Sequence, residues 1–309
     1  MPLDGFLVID KPGGLTSHDV VATVRRARAG RPGGDGTRVG HAGTLDPMAT
    51  GVLVVCLGAA TRLSEWATAD DKSYLADVRL GVETDTYDAD GTIVAERPVA
   101  LSPERVESAL AGLRGAIAQV PPAHSAIRIG GRRLYDLARR GQVVEVPART
   151  VTIHELRLLE LDGPTARLEV HCSKGTYVRS LAHDLGRRLG CGAHLSALRR
   201  TASGPFTLAQ AHGLEEAVAA LQTGQGAALM LPLETGVADF ERVDASAADA
   251  RRLRQGLPIE VPAAADDGRD EGGVARAPHR GRAHDQDGRL IAIVERRGDL
   301  WWPKKVLLA

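Results

Sequence analysis

The stretch GHAGTLDPMATGVLVVCLG, residues 40–58, places one carboxylate, that of Asp46, between Leu45 and Pro47 in a run dominated by small and aliphatic residues. Its last part, VLVVCL, has the continuous apolar pattern of a buried strand. We therefore expect the aspartate to lie in a loop just before that strand, where the backbone can approach other groups closely. An aspartate before proline often starts a turn, and in a buried pocket with a counter-charge it can instead act as nucleophile or base. The spacing alone leaves both roles open.

Length and composition indicate a globular chain. It has 309 residues, of which 43% are hydrophobic, so a sizeable core can form in one large domain or in two unequal domains. The 39 basic and 39 acidic residues cancel. A nucleic-acid partner can therefore be argued only from local basic patches.

The cysteines and the apolar runs indicate a cytoplasmic protein. Cys56, Cys172 and Cys191 are odd in number and far apart, which argues against a disulfide framework or a zinc ribbon and favours a reducing compartment. No apolar run approaches the roughly 20 residues that span a bilayer, and the first residues do not resemble a secretion signal. We therefore expect neither secretion nor membrane insertion.

Strand patterns such as GFLVIDK and VLVVCLG are mixed with helix patterns, without βαβ regularity. Ser17 is predicted to cap a first helix, Ser102 a second that ends near Gly115, and Gly190 is predicted to close a third. No G-x-G-x-x-G motif follows a strand, and the sequence contains no Walker motif or internal repeat. These absences argue against a nucleotide-cofactor fold.

The character of the sequence changes near residue 236. One amphipathic helix pattern, ASAADARRLRQG, is followed by short strand patterns such as RLIAIVER and LWWPKKVLL, which predict a small β-rich C-terminal domain. Within it, residues 262–288 are charged, glycine-rich and of low complexity. We expect a long loop with little order there.

Five stretches, in order, resemble the TruB family of tRNA pseudouridine synthases. They are LVIDKPGGLTSHD, GHAGTLDPMATGVLVVCLG, KSYLADVRLGVETDTYDADG, PPAHSAIRIGGRRLYDLARRG and HCSKGTYVRSLAHDLGRRLGCGAHLSALRRT, and they cover most of residues 5–205. The runs G-H-x-G-x-L-D-P and S-K-G-T-Y-x-R are the specific ones. The resemblance implies a mixed α+β fold. A pseudouridine synthase core, with a largely antiparallel sheet flanked by helices, is expected in residues 1–235, and a PUA-like domain in residues 236–309.

The resemblance also implies a reaction, the isomerisation of uridine to pseudouridine in the T-loop of tRNA, at the position conventionally numbered 55. The bond from uracil N1 to the ribose breaks, the base turns, and its C5 joins the same sugar carbon. Asp46 corresponds to the essential acid, which either attacks the sugar or takes a ribose proton. Arg179 corresponds to the arginine that pairs with this acid, and Tyr74 to the tyrosine that stacks on the target base. By position alone, Arg179 could be a solvated helix residue and Tyr74 a core residue.

Four further positions correspond to residues near the family's substrate. Tyr177 and Leu198 match residues that line the uracil pocket, although Leu198 could equally be ordinary core. His41 matches the histidine that fills the space left by the flipped base. Lys11, in the DKP stretch, matches a lysine that supports the catalytic loop.

Residues 124–150 correspond to the family's thumb-like insertion, which closes on the T-arm of the tRNA. The stretch is basic and contains glycines that favour a movable arm, although a charge run can also be a solvated face. The arginines expected to contact RNA phosphates are Arg132, Arg133, Arg139 and Arg140.

The resemblance implies a tRNA partner, no protein partner and a monomer. Neither a cofactor nor a metal is expected, because no second and third ligand with metal spacing accompany His41. Two rival functions are an RNA-binding chaperone whose turnover is incidental and a synthase that acts on another RNA. A glycosidase is disfavoured because no second carboxylate is evident beside Asp46.

Overall fold

The computed structural model describes residues 3–29, 36–122, 128–129, 132–133, 146–261 and 279–307, and the elements named below lie in these ranges. The α-helices are α1 (Ser17–Ala29), α2 (Ser64–Ala69), α3 (Pro103–Ala111), α4 (Val178–Leu189), α5 (Leu214–Thr223) and α6 (Ala247–Arg254). The first strands are β1 (Gly5–Lys11), β2 (Val39–Ala42), β3 (Thr50–Leu57), β4 (Lys72–Leu80), β5 (Val82–Thr84), β6 (Ile93–Glu96) and β7 (Gly115–Gln119). The middle strands are β8 (Arg128–Ile129), β9 (Arg132–Arg133), β10 (Arg149–Asp162), β11 (Thr165–Cys172), β12 (Ala193–Ser203), β13 (Phe206–Thr207) and β14 (His212–Gly213). The last strands are β15 (Glu241–Asp244), β16 (Ile259–Glu260), β17 (Arg280–His284), β18 (Leu290–Arg297) and β19 (Leu300–Val306).

Ten of the described strands form one large sheet. Their order is β14-β1-β3-β12-β4-β11-β10-β7, with β13 beside β12 and β2 beside β3. The pairs β1–β14 and β3–β12 are parallel, and the other pairs are antiparallel. Five further strands form a second sheet in the order β15-β17-β18-β19-β16. This mixed architecture, with a β-rich C-terminal part, confirms the predicted fold class.

Strand β3 is buried on both faces, which explains its continuous apolar sequence. Leu53 and Val55 on one face belong to a core shared with helices α1, α3 and α4. Val52 and Val54 on the other face belong to a second core, which includes Ile293 of the C-terminal sheet. The loop that precedes β3 is therefore attached to a strand that is buried between the two cores.

Helix α1 is capped by Thr16 and not, as predicted, by Ser17. The Thr16 N–H donates to Asp19 Oδ2 (2.9 Å), and the Asp19 N–H donates to the Thr16 hydroxyl (3.1 Å), which together make a capping box. Ser17 is the first residue inside the helix, and its buried hydroxyl bonds to Leu45 instead. The two adjacent hydroxyl residues both suit a cap, and only the packing against the loop distinguishes them.

Helices α3 and α4 follow the prediction in part. Ser102 caps α3 as expected, but the helix ends at Ala111 with Gly112 as its C-cap, and Gly115, with φ +80°, begins strand β7. Gly190 closes α4 in the left-handed conformation, with φ +79°, as expected.

Part of the expected loop at residues 262–288 is a strand, which corrects that prediction. Arg280–His284 form β17, which pairs with β15 on one side and with β18 on the other. The backbone groups of this charged segment are thus satisfied within the sheet, and Ala283 lies in its core with Trp301. Residues 262–278 lie outside the described residues.

Candidate active site

The loop that carries Asp46 connects β2 to β3. It begins at Gly43, whose φ of +86° is one that glycine adopts without strain. The N–H of Ala49 donates to the Asp46 carbonyl (3.1 Å), so the aspartate starts a turn. Its carboxylate remains free for other contacts and is 31% exposed. The two roles considered for Asp46 are therefore compatible with each other.

Arg179 contacts the Asp46 carboxylate through two nitrogens. Its Nη2 donates to Asp46 Oδ1 (3.0 Å), and its Nε lies 3.0 Å from Asp46 Oδ2. Arg179 lies in the first turn of α4 and is only 5% exposed. A buried guanidinium in this two-pronged arrangement fixes both the charge and the orientation of the carboxylate.

Asp88 is a second carboxylate at this site, which the sequence interpretation missed. Its Oδ2 accepts from Arg179 Nη1 (3.1 Å), and its Oδ1 accepts from the Thr86 hydroxyl (2.5 Å) and from the Asp90 N–H (3.2 Å). Asp88 is 7% exposed, so it holds Arg179 in place and is not presented to solvent. Its segment, DADG, has the composition of a turn, and nothing in that pattern indicates an arginine partner distant in sequence.

Burial raises the pKa of Asp46 above that of an ordinary aspartate. The Arg179 guanidinium opposes this effect, the negative charge of Asp88 adds to it, and Lys11 opposes it weakly. Burial thus makes the carboxylate a stronger base, and the Arg179 guanidinium favours its ionised form against that effect.

Lys11 contacts the loop that carries Asp46. The side chain is fully buried, and its Nζ donates to the carbonyls of Pro47 (3.1 Å), Leu15 (2.6 Å) and Pro12 (2.9 Å). Burial lowers the pKa of Lys11 to about 8, with Asp46 opposing the shift. With its donors directed at backbone carbonyls, Lys11 is placed to support the loop.

Ser17 is a second loop support, and the sequence suggested a different role for it. Its hydroxyl accepts from the Leu45 N–H (2.9 Å) and donates to the Leu45 carbonyl (3.2 Å). Ser17 is 2% exposed. One side chain of α1 thus satisfies both backbone groups of the residue before Asp46.

Tyr74 lies on β4, directly opposite Arg200 of β12 and Val170 of β11. It is 8% exposed, and burial raises the pKa of its hydroxyl. The Asp46 carboxylate raises the pKa of Tyr74 further, while the charge and hydrogen bonding of Arg200 lower it. Tyr74 is therefore within electrostatic reach of the catalytic loop.

His41 lies on β2 opposite Val55 of β3. It lines an open groove together with Arg25 and Arg38. Burial and the charge of Arg200 lower its pKa, so its ring is neutral at neutral pH. A neutral ring suits contact with a nucleobase better than a charged one.

Tyr177 and Leu198 lie on elements that also carry other site residues. Tyr177 precedes α4, and its N–H donates to Gln119 Oε1 (2.8 Å) while its carbonyl accepts from Gln119 Nε2 (3.1 Å). This contact fixes the backbone just before Arg179. Leu198 lies on β12 opposite Ala76 and is 7% exposed.

The arginines of the expected arm are described only in part. Arg132 and Arg133 form β9, which pairs with β8. The structure describes the backbone of these two residues but not their side chains. Arg139 and Arg140 lie outside the described residues altogether. Their contribution to RNA binding stays a prediction.

No group of three or more His, Cys, Asp or Glu side chains in the described ranges is arranged to hold a metal ion. Burial raises the pKa of the Cys56 thiol to about 12 and that of the Cys172 thiol to about 11. Neither thiol is ionised at neutral pH. The described helices include none that is long and apolar enough to cross a membrane.

Two family profiles match consecutive parts of the chain. The TruB family pseudouridylate synthase N-terminal domain matches residues 34–178, and the tRNA pseudouridylate synthase B C-terminal domain matches residues 179–238. The first profile ends and the second begins at the start of α4, so that Arg179 is the first residue of the second match.

Curated relatives are similar over most of their length. Proteins named tRNA pseudouridine synthase B are 49% identical in Symbiobacterium thermophilum, with 84% of each chain covered, and 47% identical in Aromatoleum aromaticum, with 85% of this chain and 83% of the relative covered. The relative in Dehalococcoides mccartyi (strain CBDB1) is 41% identical, with 99% of this chain and 97% of the relative covered.

A solved structure has the same architecture. The crystal structure of a Cbf5-Nop10-Gar1 complex contains a chain that matches with a TM-score of 0.73 and 25% identity, over 99% of this chain and 85% of that chain. The fold, the two profiles and the relatives agree. The chain is a member of the TruB family of pseudouridylate synthases.

Proposed function

We propose that this chain isomerises uridine to pseudouridine in the T-loop of tRNA, at the position conventionally numbered 55, with Asp46 as the essential acid. The observation that carries the proposal is the two-pronged contact between Arg179 and Asp46. It supports a carboxylate that stays ionised in a half-buried pocket. Both routes open to the reaction, attack on the sugar and removal of a ribose proton, require that state.

The reaction exchanges one glycosidic bond for another within a single pocket. The N1–ribose bond breaks and its electron pair leaves with the uracil. Asp46 either bonds to the sugar carbon or takes a ribose proton. It is regenerated when C5 of the turned base bonds to that carbon, by displacement from the sugar in the first route and by return of the proton to the ribose in the second. The proton on C5 is then lost and N1 gains one. The Tyr74 hydroxyl, which can take up a proton only as it gives up its own, is our candidate to relay this proton. Because the reaction is an isomerisation without net oxidation or reduction, the chemistry requires no redox cofactor.

The target base must leave the RNA stack before it can react. Tyr74 is our candidate for the aromatic face on which the base stacks, with Tyr177 and Leu198 as further walls of the uracil pocket. His41, which is neutral at neutral pH, is our candidate for the residue that fills the vacated space. Its position on a groove lined by Arg25 and Arg38 is consistent with an RNA strand passing there.

Affinity for tRNA is assigned to phosphate contacts outside this pocket. The arm at residues 124–150 supplies Arg132, Arg133, Arg139 and Arg140 in this proposal. We also propose that the chain divides into two domains near residue 235, and that the C-terminal sheet has a PUA-like, RNA-binding role. We further propose a cytoplasmic monomer that acts without a protein partner.

The deciding experiment is the incubation of purified protein with an unmodified tRNA transcript and with an isolated T-arm hairpin, in the presence of chelator. Because pseudouridine and uridine have the same mass, the product is measured by carbodiimide labelling with reverse-transcription stops or by chromatography of nucleosides. We expect one modified uridine, in the T-loop. Asp46→Asn is expected to abolish turnover and to leave the Kd for tRNA within about threefold, since the acid acts in chemistry and phosphates set binding.

Other outcomes distinguish the rival functions. Modification confined to ribosomal RNA supports a synthase with another substrate. Accelerated refolding of tRNA without any modified uridine supports a chaperone. Turnover by Asp46→Asn comparable to that of the wild-type protein excludes Asp46 as the essential acid.

A further inference from the structure

Arg200 occupies the junction of three strands that carry the proposed site. It lies on β12, where its backbone is opposite Gly51 of β3 on one side and Tyr74 of β4 on the other. A Cβ at Gly51 would lie 2.2 Å from the Arg200 carbonyl oxygen, so only glycine permits this approach of β3 to β12. Arg200 is 1% exposed, which makes it one of the largest fully buried side chains of the described core.

The Arg200 guanidinium holds the beginning of the catalytic loop. Its Nη2 donates to the Gly43 carbonyl (3.0 Å), its Nη1 to the Thr44 carbonyl (3.4 Å), and its Nε to the Val52 carbonyl (2.7 Å). Gly43 and Thr44 begin the loop, and Val52 lies in the strand that follows it. One rigid group thus connects the two ends of the segment that contains Asp46.

The same guanidinium reaches the tyrosine of the site. Residues directly opposite on neighbouring strands have side chains on the same face, about 5 Å apart at Cβ. Hydrogen bonding from Arg200 accordingly lowers the pKa of the Tyr74 hydroxyl against the effect of burial. The hydrogen-bond acceptors of Arg200 in the described part of the chain are three backbone carbonyls, none of which carries a formal charge.

A buried guanidinium whose partners are neutral acts mainly by fixing the positions of those partners, and not by neutralising a negative charge. Burial of such a cation is costly unless its donors are well satisfied. Burial is the main cause of the lowered pKa values of Lys11, His41 and Lys72, and the positive charge of Arg200 lowers them further. Arg200 therefore differs from its neighbour Arg199, which is 40% exposed and pairs with Asp10.

We propose that Arg200 is a positioning residue of the active site, which holds the Asp46 loop and the Tyr74 ring in one fixed relation. The inference rests on the proposed function, because it assigns Arg200 to the same pocket. Arg200 acts through its two neighbours and needs no contact with the substrate. Its five donors form a planar fork that an ammonium group does not reproduce.

The test compares Arg200→Lys with Arg199→Lys, the same change one residue earlier on the strand. Single-turnover rates and the Kd for a T-arm hairpin are measured for both. We expect Arg200→Lys to lose about 100-fold in rate, the scale of a misplacement of about 1 Å, with a Kd within about threefold of the wild-type value. Arg199→Lys should retain its rate within about threefold, because an exposed pair contributes little.

A double-mutant cycle with Tyr74→Phe tests the connection between the two residues. If Arg200 positions Tyr74 through its hydroxyl, Tyr74→Phe should cost clearly less in the Arg200→Lys protein than in the wild-type protein. Thermal unfolding verifies that each variant folds, and Arg200→Gln replaces Arg200→Lys if the latter does not unfold cooperatively. A wild-type rate in the folded Arg200 variant, or additive effects in the cycle, overturns the inference. Absence of pseudouridine with the wild-type protein instead refutes the proposed function.

Discussion

Asp88 lies 3.1 Å from Nη1 of Arg179, the guanidinium whose other two nitrogens contact Asp46. Arg179 is thus shared by two carboxylates, of which one is 7% and the other 31% exposed. The more exposed one, Asp46, can meet a substrate, and the buried one holds the arginine. Asp88 is close to Asp46 but is committed to Arg179 and to its own turn. It does not present the free second acid of a glycosidase.

Asp88→Ala should lower the single-turnover rate by about 100-fold and leave the Kd for tRNA nearly unchanged. Without Asp88 the guanidinium loses the group that orients it, and a small displacement of the Asp46 carboxylate is costly. Rapid-mixing assays on a T-arm hairpin measure the rate. A rate close to that of the wild-type protein contradicts the role of Asp88 in orienting Arg179.

Asp88→Asn should displace the pH dependence of the rate. Asp46 must be ionised, so activity is present above its pKa and lost as the pH falls through it. Because the charge of Asp88 raises the pKa of Asp46, removal of that charge lowers this pKa, and the acid limb moves to lower pH. Single-turnover rates measured at a series of acid pH values give the pH at which the rate falls in each protein. A limb that moves to higher pH, or not at all, contradicts this electrostatic coupling.

Arg179→Lys should lose about 100-fold in rate although it retains the positive charge. A single ammonium cannot hold both oxygens of Asp46 and also reach Asp88 and the Thr86 carbonyl, which lies 3.3 Å from Nη1. The rate is compared with that of Arg187→Lys, a change near the other end of the same helix. Equal rates for the two variants mean that the fork geometry of Arg179 is unimportant.

Ser17→Ala should destabilise the fold and slow the reaction together. The buried N–H and C=O of Leu45 lose their partner, which costs about 1–3 kcal/mol of unfolding free energy. Thr16→Ala is the matched control, because it removes the cap of the same helix at a cost of about 1 kcal/mol without touching the loop. Denaturant unfolding and turnover are measured for both. A rate loss of the same size in Thr16→Ala assigns the effect to helix stability alone.

Replacement of the four arm arginines, Arg132, Arg133, Arg139 and Arg140, by alanine should weaken tRNA binding. The slope of log Kd against log salt should fall by up to about 0.9 for each phosphate that the variant no longer neutralises. Filter-binding titrations at several salt concentrations measure it. An unchanged slope excludes these side chains from the interface, whatever happens to turnover.

Elements with strong periodicity or cap signals were predictable from the sequence, and groups defined by distant partners were not. The strand before residue 58 and the left-handed close of α4 at Gly190 are local properties. The contacts of Asp88 and Arg200 depend on partners about 90 and 150 residues away, and their local patterns indicate only a turn and a strand. In the pair Arg199 and Arg200, strand alternation sends one side chain to solvent and buries the other, and the sequence does not reveal which.

The place of β12 in the large sheet has a consequence for synthesis of the chain. Strand β12 is the sole link, in the described sheet order, between the half that contains β1 and β3 and the half that contains β4, β11, β10 and β7. The loop with Asp46 belongs to the first half and Tyr74 to the second. A nascent chain that ends before residue 193 therefore has two half-sheets with open edges, which expose it to misassembly. In the described sheet, the strand after the Asp46 loop and the strand that carries Tyr74 are joined only once residues 193–203 have paired with both.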